Sequence, residues 1–446
     1  MTSESTSRPD PAAALAAGVV PATGCTEPVA VALAAAVAAR QWRRAGGQVL
    51  TSVRARVSPN VMKNGMAVVV PGTGTPGLAV AAAVGALAGD PDAGLGVLGQ
   101  VGPEEAEQAR RMVEEGLVRV DVDPDAGLLH ARVEVEGGGH RAGAVIDGSH
   151  THVVEVSADG HTVESHDPLP GHGSGCLPGW AQLLQGARLH DLYRYCMEVP
   201  LDELDLMRQA ASLNTALVEV GMSGRWGLGL GATLAGDGPA ATRRGGEHDL
   251  LSAMVEAASA AADARMGGAP LPAMTNSGSG NQGITATVPV CVAAEHTGAD
   301  EDTLLRGLAL SHLTALYVHS GLPVLSAFCA ATTAGMGAAA GVCHVLGGGW
   351  CEVEAAVASM AGDVAGMVCD GAGCSCALKV ASSVSAAGRA VSLAMAGVRV
   401  PGTSGLVADD VDTTIRGLWR LAGESMAATD REVLSIMVDK APRPHH

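Results

Sequence analysis

The stretch Leu129 to Ile146, LHARVEVEGGGHRAGAVI, decides the fold class because apolar and polar residues alternate along it. A period of two is typical of half-buried β-strands, so Leu129 to Glu136 and Ala142 to Ile146 are predicted strands. Further β-type runs and two helical stretches surround them, and residues 48–175 are therefore predicted to form a mixed α/β lobe. The further runs are Val49 to Val57, Met66 to Val70 and His152 to Val156, with helices at Leu78 to Leu87 and Pro103 to Glu115.

On both sides of this lobe the pattern is helical. Residues 1–47 are predicted to be an N-terminal helical segment, in which an Ala-rich helix from Val29 to Arg44 follows the turn at Gly24 to Pro28. The Gly/Pro/His-rich stretch Asp167 to Gly179 is the candidate linker, and residues 176–446 are predicted to be a large, mostly α-helical domain. Its predicted helices include Glu301 to His319, Val324 to Leu346 and Cys376 to Met395. The expected fold class is α+β.

The composition favours small-molecule chemistry. The chain has 446 residues and a formal net charge of -18, which repels phosphate backbones and anionic lipid, so neither nucleic acid nor a membrane is an expected partner. Aromatic residues make up only 2% and glycine reaches 60, so helices must pack through close Ala/Gly contacts. The expected binding partner is a small molecule, and the composition is also compatible with association of the chain into a homo-oligomer.

The N-terminus carries Glu4 and Asp10 where a secretion signal would be basic, and a cytoplasmic location is expected. The nearly uncharged segment Leu322 to Trp350 is built from Ala, Gly, Thr and Cys. It is predicted to be a buried core helix and not a membrane span.

The loop Thr275 to Gly283, TNSGSGNQG, concentrates amides, hydroxyls and free backbone N–H groups. Successive N–H groups form an anion-binding nest and glycine lets the backbone come close, so the loop is suited to hold a carboxylate. Gly278, Gly280 and Gly283 also match G-x-G-x-x-G. We expect no dinucleotide site here, because no strand is predicted before the loop and the β-branched run Ile284 to Val290 follows where a helix should begin.

Two other features lie near the β-lobe's start. Gly72, Gly74 and Gly77 form a second G-x-G-x-x-G, interpreted as a turn that begins a helix. Lys63-Asn64-Gly65 is predicted to be a turn before the strand Met66 to Val70. Lys63 is one of only three lysines in the chain.

Ten cysteines are present, and a group from Cys369 to Lys379 contains three of them. The paired C-x-x-C spacing of a zinc ribbon is absent. Cys25, Cys329 and Cys369 can still converge on one metal centre, although spacing alone favours inert, buried thiols.

Eight blocks of this sequence, in the same order from about residue 17 to 440, resemble the L-cysteine desulfidase family, which is related to the iron-sulfur L-serine dehydratases. They are Gly24 to Pro28, Ser58 to Asn60 with Lys63 to Met66, Pro71 to Gly74, Ser149 to Thr151, Asp263 to Gly268, Asn276 to Gly283, Leu325 to Cys329, and Cys369 to Ala372 with Cys376 to Lys379.

The resemblance implies an oxygen-sensitive 4Fe-4S cluster and conversion of L-cysteine to pyruvate, ammonia and sulfide. It places the cluster ligands at Cys25, Cys329 and Cys369. A four-iron cluster that is held by three thiolates has one iron without a protein ligand, and this iron can act as a Lewis acid. Cys376 is a further candidate ligand, which would bind the fourth iron. Ala330 to Thr333, His152 and Gly373 to Ser375 depart from the family pattern, which bears on the substrate more than on the cluster.

The hypothesis for the mechanism is a β-elimination. The α-carboxylate is expected on the amide and hydroxyl loop, and a base removes the α-proton. Lys63, Lys379 and Glu27 are the candidate bases, among which the sequence does not choose, and Lys379 can instead pair with Asp370. The substrate-binding candidates are Asn276, Ser277, Ser279, Asn281 and Gln282.

Alternatives from other classes stay open. One is an L-serine or L-threonine dehydratase, or a lyase of another β-substituted alanine. A second is a pyridoxal-phosphate lyase, which would use a lysine as a Schiff base and give the same products. A third is a non-catalytic iron-sulfur sensor or partner subunit, which would need no substrate anchor.

Overall fold

A computed structural model describes residues 8–167, 177–236, 249–323 and 325–440. Most of the candidate linker Asp167 to Gly179, with Cys176, lies outside the described residues. The described strands are β1 (Pro21–Thr23), β2 (Ser52–Val57), β3 (Val118–Val122), β4 (His130–Gly137), β5 (His140–Asp147), β6 (Val153–Ala158), β7 (His161–Ser165) and β8 (Pro272–Met274).

The helices in the first half are α1 (Pro11–Gly18), α2 (Thr26–Arg44), α3 (Pro59–Gly65), α4 (Leu78–Ala88), α5 (Pro103–Glu114), α6 (Gly179–Gln182), α7 (Leu189–Glu198) and α8 (Asp205–Gly221). Those in the second half are α9 (Leu230–Ala235), α10 (Leu250–Met266), α11 (Gly280–Thr297), α12 (Glu301–His319), α13 (Ala330–Val345), α14 (Trp350–Val364), α15 (Cys376–Met395), α16 (Val411–Arg420) and α17 (Ala427–Val438). The α+β class is confirmed.

Six strands form one sheet in the order β3-β2-β4-β5-β6-β7, antiparallel except for the parallel pair β2 and β3. The predicted alternation is realised in β4, where Ala131, Val133 and Val135 are buried. Helices α2 and α4 pack on this sheet through an Ala- and Val-rich core. The sheet lobe therefore takes its hydrophobic layer from the Ala-rich helix that starts just after Cys25.

The helical body has its own core, to which α1 also contributes Ala14 and Leu15. Its helices pack closely, as the glycine content predicts. A Cβ built on Gly337 of α13 would lie 2.3 Å from the Ser311 carbonyl oxygen of α12. No helix among the described residues combines the length and apolar character needed to cross a bilayer.

Two of the connections between the lobe and the helical body lie next to Cys25. Strand β1 pairs antiparallel with β8, which brings the turn before Cys25 next to the loop at Asn276 to Ser279. A small apolar cluster of Cys25, Val68 and Met266, with Ala372 and Cys376 packed against it, lies at the same junction. The junction is therefore where several segments that carry candidate site residues meet.

Three local predictions are wrong. The run Ile284 to Val290 is not extended but forms part of α11, and β8 precedes the loop, because full burial of the run outweighs its β-propensity. Since β8 pairs antiparallel with β1, the motif still lacks the βαβ context of a dinucleotide site. Lys63 to Gly65 lie in helix α3 and not in a turn, and Met66 to Val70 form no strand, only a single bridge between Val69 and Pro76.

The third error concerns Cys329, which precedes helix α13 instead of lying within an apolar helix. The helix begins at Ala330 because the residues just before it pair with another loop. Cys329 N–H donates to the Met367 carbonyl, and Phe328 bridges Val368. The turn interpretation at Gly77 fits the structure, since α4 begins at Leu78 directly after it.

Candidate active site

A cavity at the junction is lined by segments of both the lobe and the helical body. The lobe provides the start of α2, Asn64 of α3 and His150 from the loop after β5. The helical body provides Arg265 and Met266 from the end of α10, the start of α11, and the loops before α13 and α15. Blocks that are far apart in the sequence thus surround one space.

Four thiols line this cavity: Cys25, Cys329, Cys369 and Cys376. The loops of Cys329 and Cys369 are held side by side, because Cys369 N–H donates to the Ala327 carbonyl at 2.7 Å and Cys329 N–H donates to the Met367 carbonyl at 3.0 Å. Cys25 ends the turn that β1 positions. The three predicted ligands and the fourth candidate are therefore brought together.

The thiols affect one another electrostatically. Burial raises the pKa of Cys25 to about 12, and Cys376 adds to that rise while Arg265 opposes it. Burial also raises the pKa of Cys329 to about 12, with a contribution from Cys369. Such thiols keep their protons unless a cation replaces them, as it does when a metal centre binds.

The chemistry of the donor set is compatible with an iron-sulfur cluster. Within the described ranges, no three His, Cys, Asp or Glu side chains are arranged to hold one metal ion. Each thiolate of a four-iron cluster binds a different iron, so its ligands need not converge on one point. The four thiols that line the cavity match the ligand type that such clusters use.

The amide and hydroxyl loop faces the same cavity. Ser277, Ser279, Asn281 and Gln282 line it, and the backbone at Ser277 and Gly278 is left-handed, with φ of 53° and 85°. Helix α11 begins at Gly280, so its free N–H groups and positive dipole end lie at the wall of the cavity. This arrangement is suited to an anion.

Asn276 does not line the cavity. Its side chain is fully buried and donates to the His312 carbonyl at 3.1 Å, while its Oδ1 accepts a hydrogen bond from the Ser277 hydroxyl at 2.8 Å. Asn276 therefore stabilises the loop from the side that is directed away from the cavity.

Arg265 is a cavity residue that the sequence reasoning did not single out, although its block was among those that carry the resemblance. The side chain is only 5% exposed. Its Nη2 donates to the Gly24 carbonyl at 3.0 Å and its Nη1 to Asn281 Oδ1 at 3.1 Å. Its buried Nε has no hydrogen-bond partner and packs against Gly280, where an added Cβ would lie 2.1 Å from it, so the guanidinium places its positive charge directly against the start of α11.

The three candidate bases occupy different environments. Lys63 is buried outside the cavity wall and pairs with Asp430 at 2.5 Å. Lys379 lines the cavity and pairs with Asp370; burial lowers its pKa, but the hydrogen bond and charge of Asp370 outweigh burial and raise it. Glu27 lines the cavity and accepts hydrogen bonds from the Thr26 hydroxyl and the Asn64 amide, both at 3.2 Å.

Two further lining groups have no hydrogen-bond partner on buried atoms, Asn64 Oδ1 and His150 Nε2. Burial lowers the pKa of His150, and the charge of Glu27 partly opposes that effect. The sequence reasoning quoted Ser149 to Thr151 as a block but gave His150 no role. The signal that distinguishes it, an unpaired ring nitrogen at a cavity, is visible only in three dimensions.

A sequence model of the serine dehydratase alpha chain matches residues 92–435. The chain belongs to this family. It is also similar to the UPF0597 protein PPA0217 of Cutibacterium acnes, 55% identical over 361 residues that cover 80% of this chain and 99% of the relative. A UPF0597 protein of Chromobacterium violaceum is 48% identical over 427 residues, 96% of each chain. The UPF0597 protein YhaM of Escherichia coli O9:H4 is 47% identical over 429 residues, 95% of each chain.

Membership of a dehydratase family points to a lyase-type enzyme, and one cavity of the structure brings thiols together with the amide and hydroxyl loop. The relatives' names specify no activity. The substrate must therefore be argued from the chemistry of the cavity.

Proposed function

We propose that this chain eliminates sulfide from L-cysteine, giving pyruvate and ammonia, with a 4Fe-4S cluster held by Cys25, Cys329 and Cys369. The observation that carries the proposal is that these thiols and the amide and hydroxyl loop line the same cavity. When bound, the cluster would supply an open, thiophilic Lewis-acidic iron. An expected location in the reducing cytoplasm agrees with the nine described cysteines, which are all free thiols.

The residues of the chain would hold the amino acid by its charges. The α-carboxylate would lie against Ser277, Ser279 and Asn281 at the start of α11, with the positive charge of Arg265 nearby. The α-ammonium would be bound by Glu27, a buried carboxylate in the same cavity. A zwitterion bound in this way has its β-substituent left to point toward the thiols.

After elimination, the aminoacrylate product tautomerises to an imine, and water hydrolyses it to pyruvate and ammonia. Cys376 lies near enough to influence Cys25, Cys329 and Cys369 electrostatically, so it is a candidate ligand of the fourth iron. In that case, substrate would have to displace it.

The second candidate function is L-serine dehydration, which the family description favours. An anaerobic assay of reconstituted protein with cysteine, serine, threonine and a β-substituted alanine distinguishes the two. We expect 2-oxo acid and sulfide from cysteine at a higher kcat/KM than 2-oxo acid from serine. Rapid serine deamination with sulfide release no faster than that of a cluster-free control would assign the protein to dehydration.

The same preparation tests the two other classes. Borohydride should bleach a pyridoxal-phosphate Schiff base, whereas air or a chelator should bleach an iron-sulfur cluster. The ion pairs that hold Lys63 and Lys379 argue against a Schiff base at either position. Cluster formation without turnover of any amino acid would indicate a sensor or partner subunit.

A further inference from the structure

The buried side chain of Arg265 spans the junction between the turn that carries Cys25 and the amide and hydroxyl loop. It lies in the last turn of α10. Its Nη2 donates to the Gly24 carbonyl at 3.0 Å, and its Nη1 donates to Asn281 Oδ1 at 3.1 Å. A guanidinium is planar and rigid, so this one group fixes the backbone just before Cys25 relative to a side chain in the first turn of α11.

The charge of Arg265 is incompletely compensated by the described residues. Its hydrogen-bond acceptors, the Gly24 carbonyl, Asn281 Oδ1 and Met266 Sδ, are all uncharged. The negative end of α10 favours the cation, but the guanidinium also packs against Gly280 at the positive end of α11. A buried charge without a counter-charge is costly. Anions on either side of the guanidinium, thiolates of a cluster and the carboxylate of an amino acid, would supply the compensation.

Other contacts cross the same junction, but they are of a different kind. Strands β1 and β8 pair through their backbones. The Thr26 hydroxyl lies 3.3 Å from the Gly278 carbonyl and 3.2 Å from Glu27 Oε2, and its single proton can go to only one of them. Arg265, in contrast, holds both sides at once with two N–H donors.

The remaining ionisable side chains of the cavity form their hydrogen bonds within one half of the molecule. The pairs are Glu27 with Asn64 in the lobe, and Lys379 with Asp370 and His319 with Gln282 in the helical body. A change at one of these groups is therefore not passed directly to the other half, whereas a movement of Arg265 affects the turn and the loop together.

We propose that Arg265 is a positioning residue that couples metal ligation by Cys25 to binding of the amino-acid carboxylate, an inference that rests on the proposed function. A carboxylate on the loop would fix Asn281 and, through it, the guanidinium and the Gly24 carbonyl. Ligation of Cys25 would fix the same contacts from the other side. Coupling between two sites is reciprocal, so the cluster should raise the affinity for the amino acid by the factor by which the amino acid raises retention of the cluster.

The test uses L-alanine, which has both charges of the substrate but no β-leaving group. Its dissociation constant is measured by anaerobic calorimetry on cluster-loaded and cluster-free protein. We expect the loaded wild type to bind alanine about 5- to 150-fold more tightly, the usual range for coupled sites. In Arg265→Lys, which keeps the charge but loses the planar fork, the two constants should become equal. The matched control is Arg306→Lys, because Arg306 donates to the carbonyls of Cys196 and Val199 away from the cavity, and it should keep the wild-type ratio.

A second measurement needs no cluster. In cluster-free protein, iodoacetamide labelling of Cys25 is followed by mass spectrometry. Labelling should be about 10-fold faster in Arg265→Lys than in the wild type, because a hydrogen bond from a charged donor no longer restrains the turn. Labelling of Cys343, which is packed in the core of the helical body, reports unfolding of the whole protein and should stay unchanged.

A wild-type ratio of dissociation constants in Arg265→Lys, or unchanged labelling of its Cys25, would overturn the proposal. If circular dichroism shows that this variant does not fold, Arg265→Met, which leaves no buried charge, takes its place. Equal alanine affinity of loaded and cluster-free wild type would remove the coupling and leave the proposed elimination standing. If the wild type assembles no cluster, or releases no sulfide from cysteine, the proposed function fails and the coupling with it, and labelling still decides whether Arg265 holds the turn at Cys25.

Discussion

At the scale of single residues, burial alone does not separate the candidate ligands from the other cysteines. Burial raises the pKa of Cys25, Cys329 and Cys343 alike to about 12. Only the first two face the cavity, whereas Cys343 is packed in the core of the helical body. Position, and not thiol chemistry, must therefore define the ligand set.

The first prediction follows from this difference. Cys25→Ala, Cys329→Ala and Cys369→Ala should each abolish the cluster and the activity, because a required thiolate is lost. The matched controls Cys343→Ala, Cys196→Ala, Cys291→Ala and Cys351→Ala should retain both. Iron and acid-labile sulfide are measured after anaerobic reconstitution. A full four-iron complement in any of the first three variants would exclude that residue as an essential ligand.

The carboxylate anchor gives the second prediction. Asn281 lines the cavity and accepts a hydrogen bond from Arg265, so it both faces the proposed position of the carboxylate and orients the Arg265 guanidinium. Asn281→Ala should cost about 2–4 kcal/mol of transition-state stabilisation without loss of iron. The comparison is kcat/KM against Asn60→Ala, which lies in α3 and does not line the cavity. An unchanged rate for the Asn281 variant would remove it from the anchor.

At the scale of elements, helix α11 illustrates what a sequence reveals and what it conceals. The bounds of α12 and α15 are predicted correctly. The acidic N-cap Asp300 marks the start of α12, and Gly397, with a left-handed backbone, follows the end of α15. The helical conformation of Ile284 to Val290 is not predicted from the sequence, because their β-branched side chains favour a strand. In the structure these side chains are buried, and packing outweighs this β-propensity. The start of α3 does have a signal in the sequence, because Ser58 is the N-cap and Pro59 follows it at the first helical position.

The third prediction concerns how α11 meets β8. A Cβ at Gly283 would lie 1.8 Å from the Met274 carbonyl oxygen, so no side chain fits there. Gly283→Ala should destabilise the protein by about 1–3 kcal/mol, as overpacking usually does. Gly417→Ala in α16, where a Cβ meets nothing within 4 Å, should instead raise stability slightly through helix propensity. Equal melting temperatures for the two variants would contradict the close approach.

At the scale of the whole molecule, Asp430 of α17 holds the lobe, the helical body and the C-terminal helix together. One of its oxygens accepts from Lys63 of α3, and the other accepts from Ala327 N–H at 2.8 Å, two residues before Cys329. A buried ion pair is costly to break from one side, because the remaining charge is left without compensation.

The fourth prediction uses this contact. Asp430→Asn should destabilise the protein by about 3–5 kcal/mol, because the Lys63 ammonium is 1% exposed and loses its counter-charge. The double variant Lys63→Met with Asp430→Asn should recover much of that loss, since no buried charge remains. Chemical denaturation measures both. A single variant as stable as the wild type would show that the pair does not contribute to stability.

In the candidate site, too, some features are predicted from short stretches of sequence, whereas others depend on contacts between residues far apart in the chain. The blocks that form it are readable from the sequence, and four of the five predicted anchor residues face the cavity. Asn276 lies behind the loop, and Lys63 reaches toward Asp430, because both are directed by partners far away in the chain. Arg265 and His150 emerge only when the two halves of the molecule are placed against each other.

The pairing of β1 with β8 constrains the order in which the protein can be made and loaded. Pro21 pairs with Met274, and Ser277 N–H donates to the Gly18 carbonyl, so the turn that carries Cys25 gains its support from residues synthesised much later. On the ribosome, the nascent N-terminal segment therefore has no template to hold its thiol in place. With the proposed ligand set, cluster insertion would follow translation of most of the chain, and a stalled or truncated product would remain without iron.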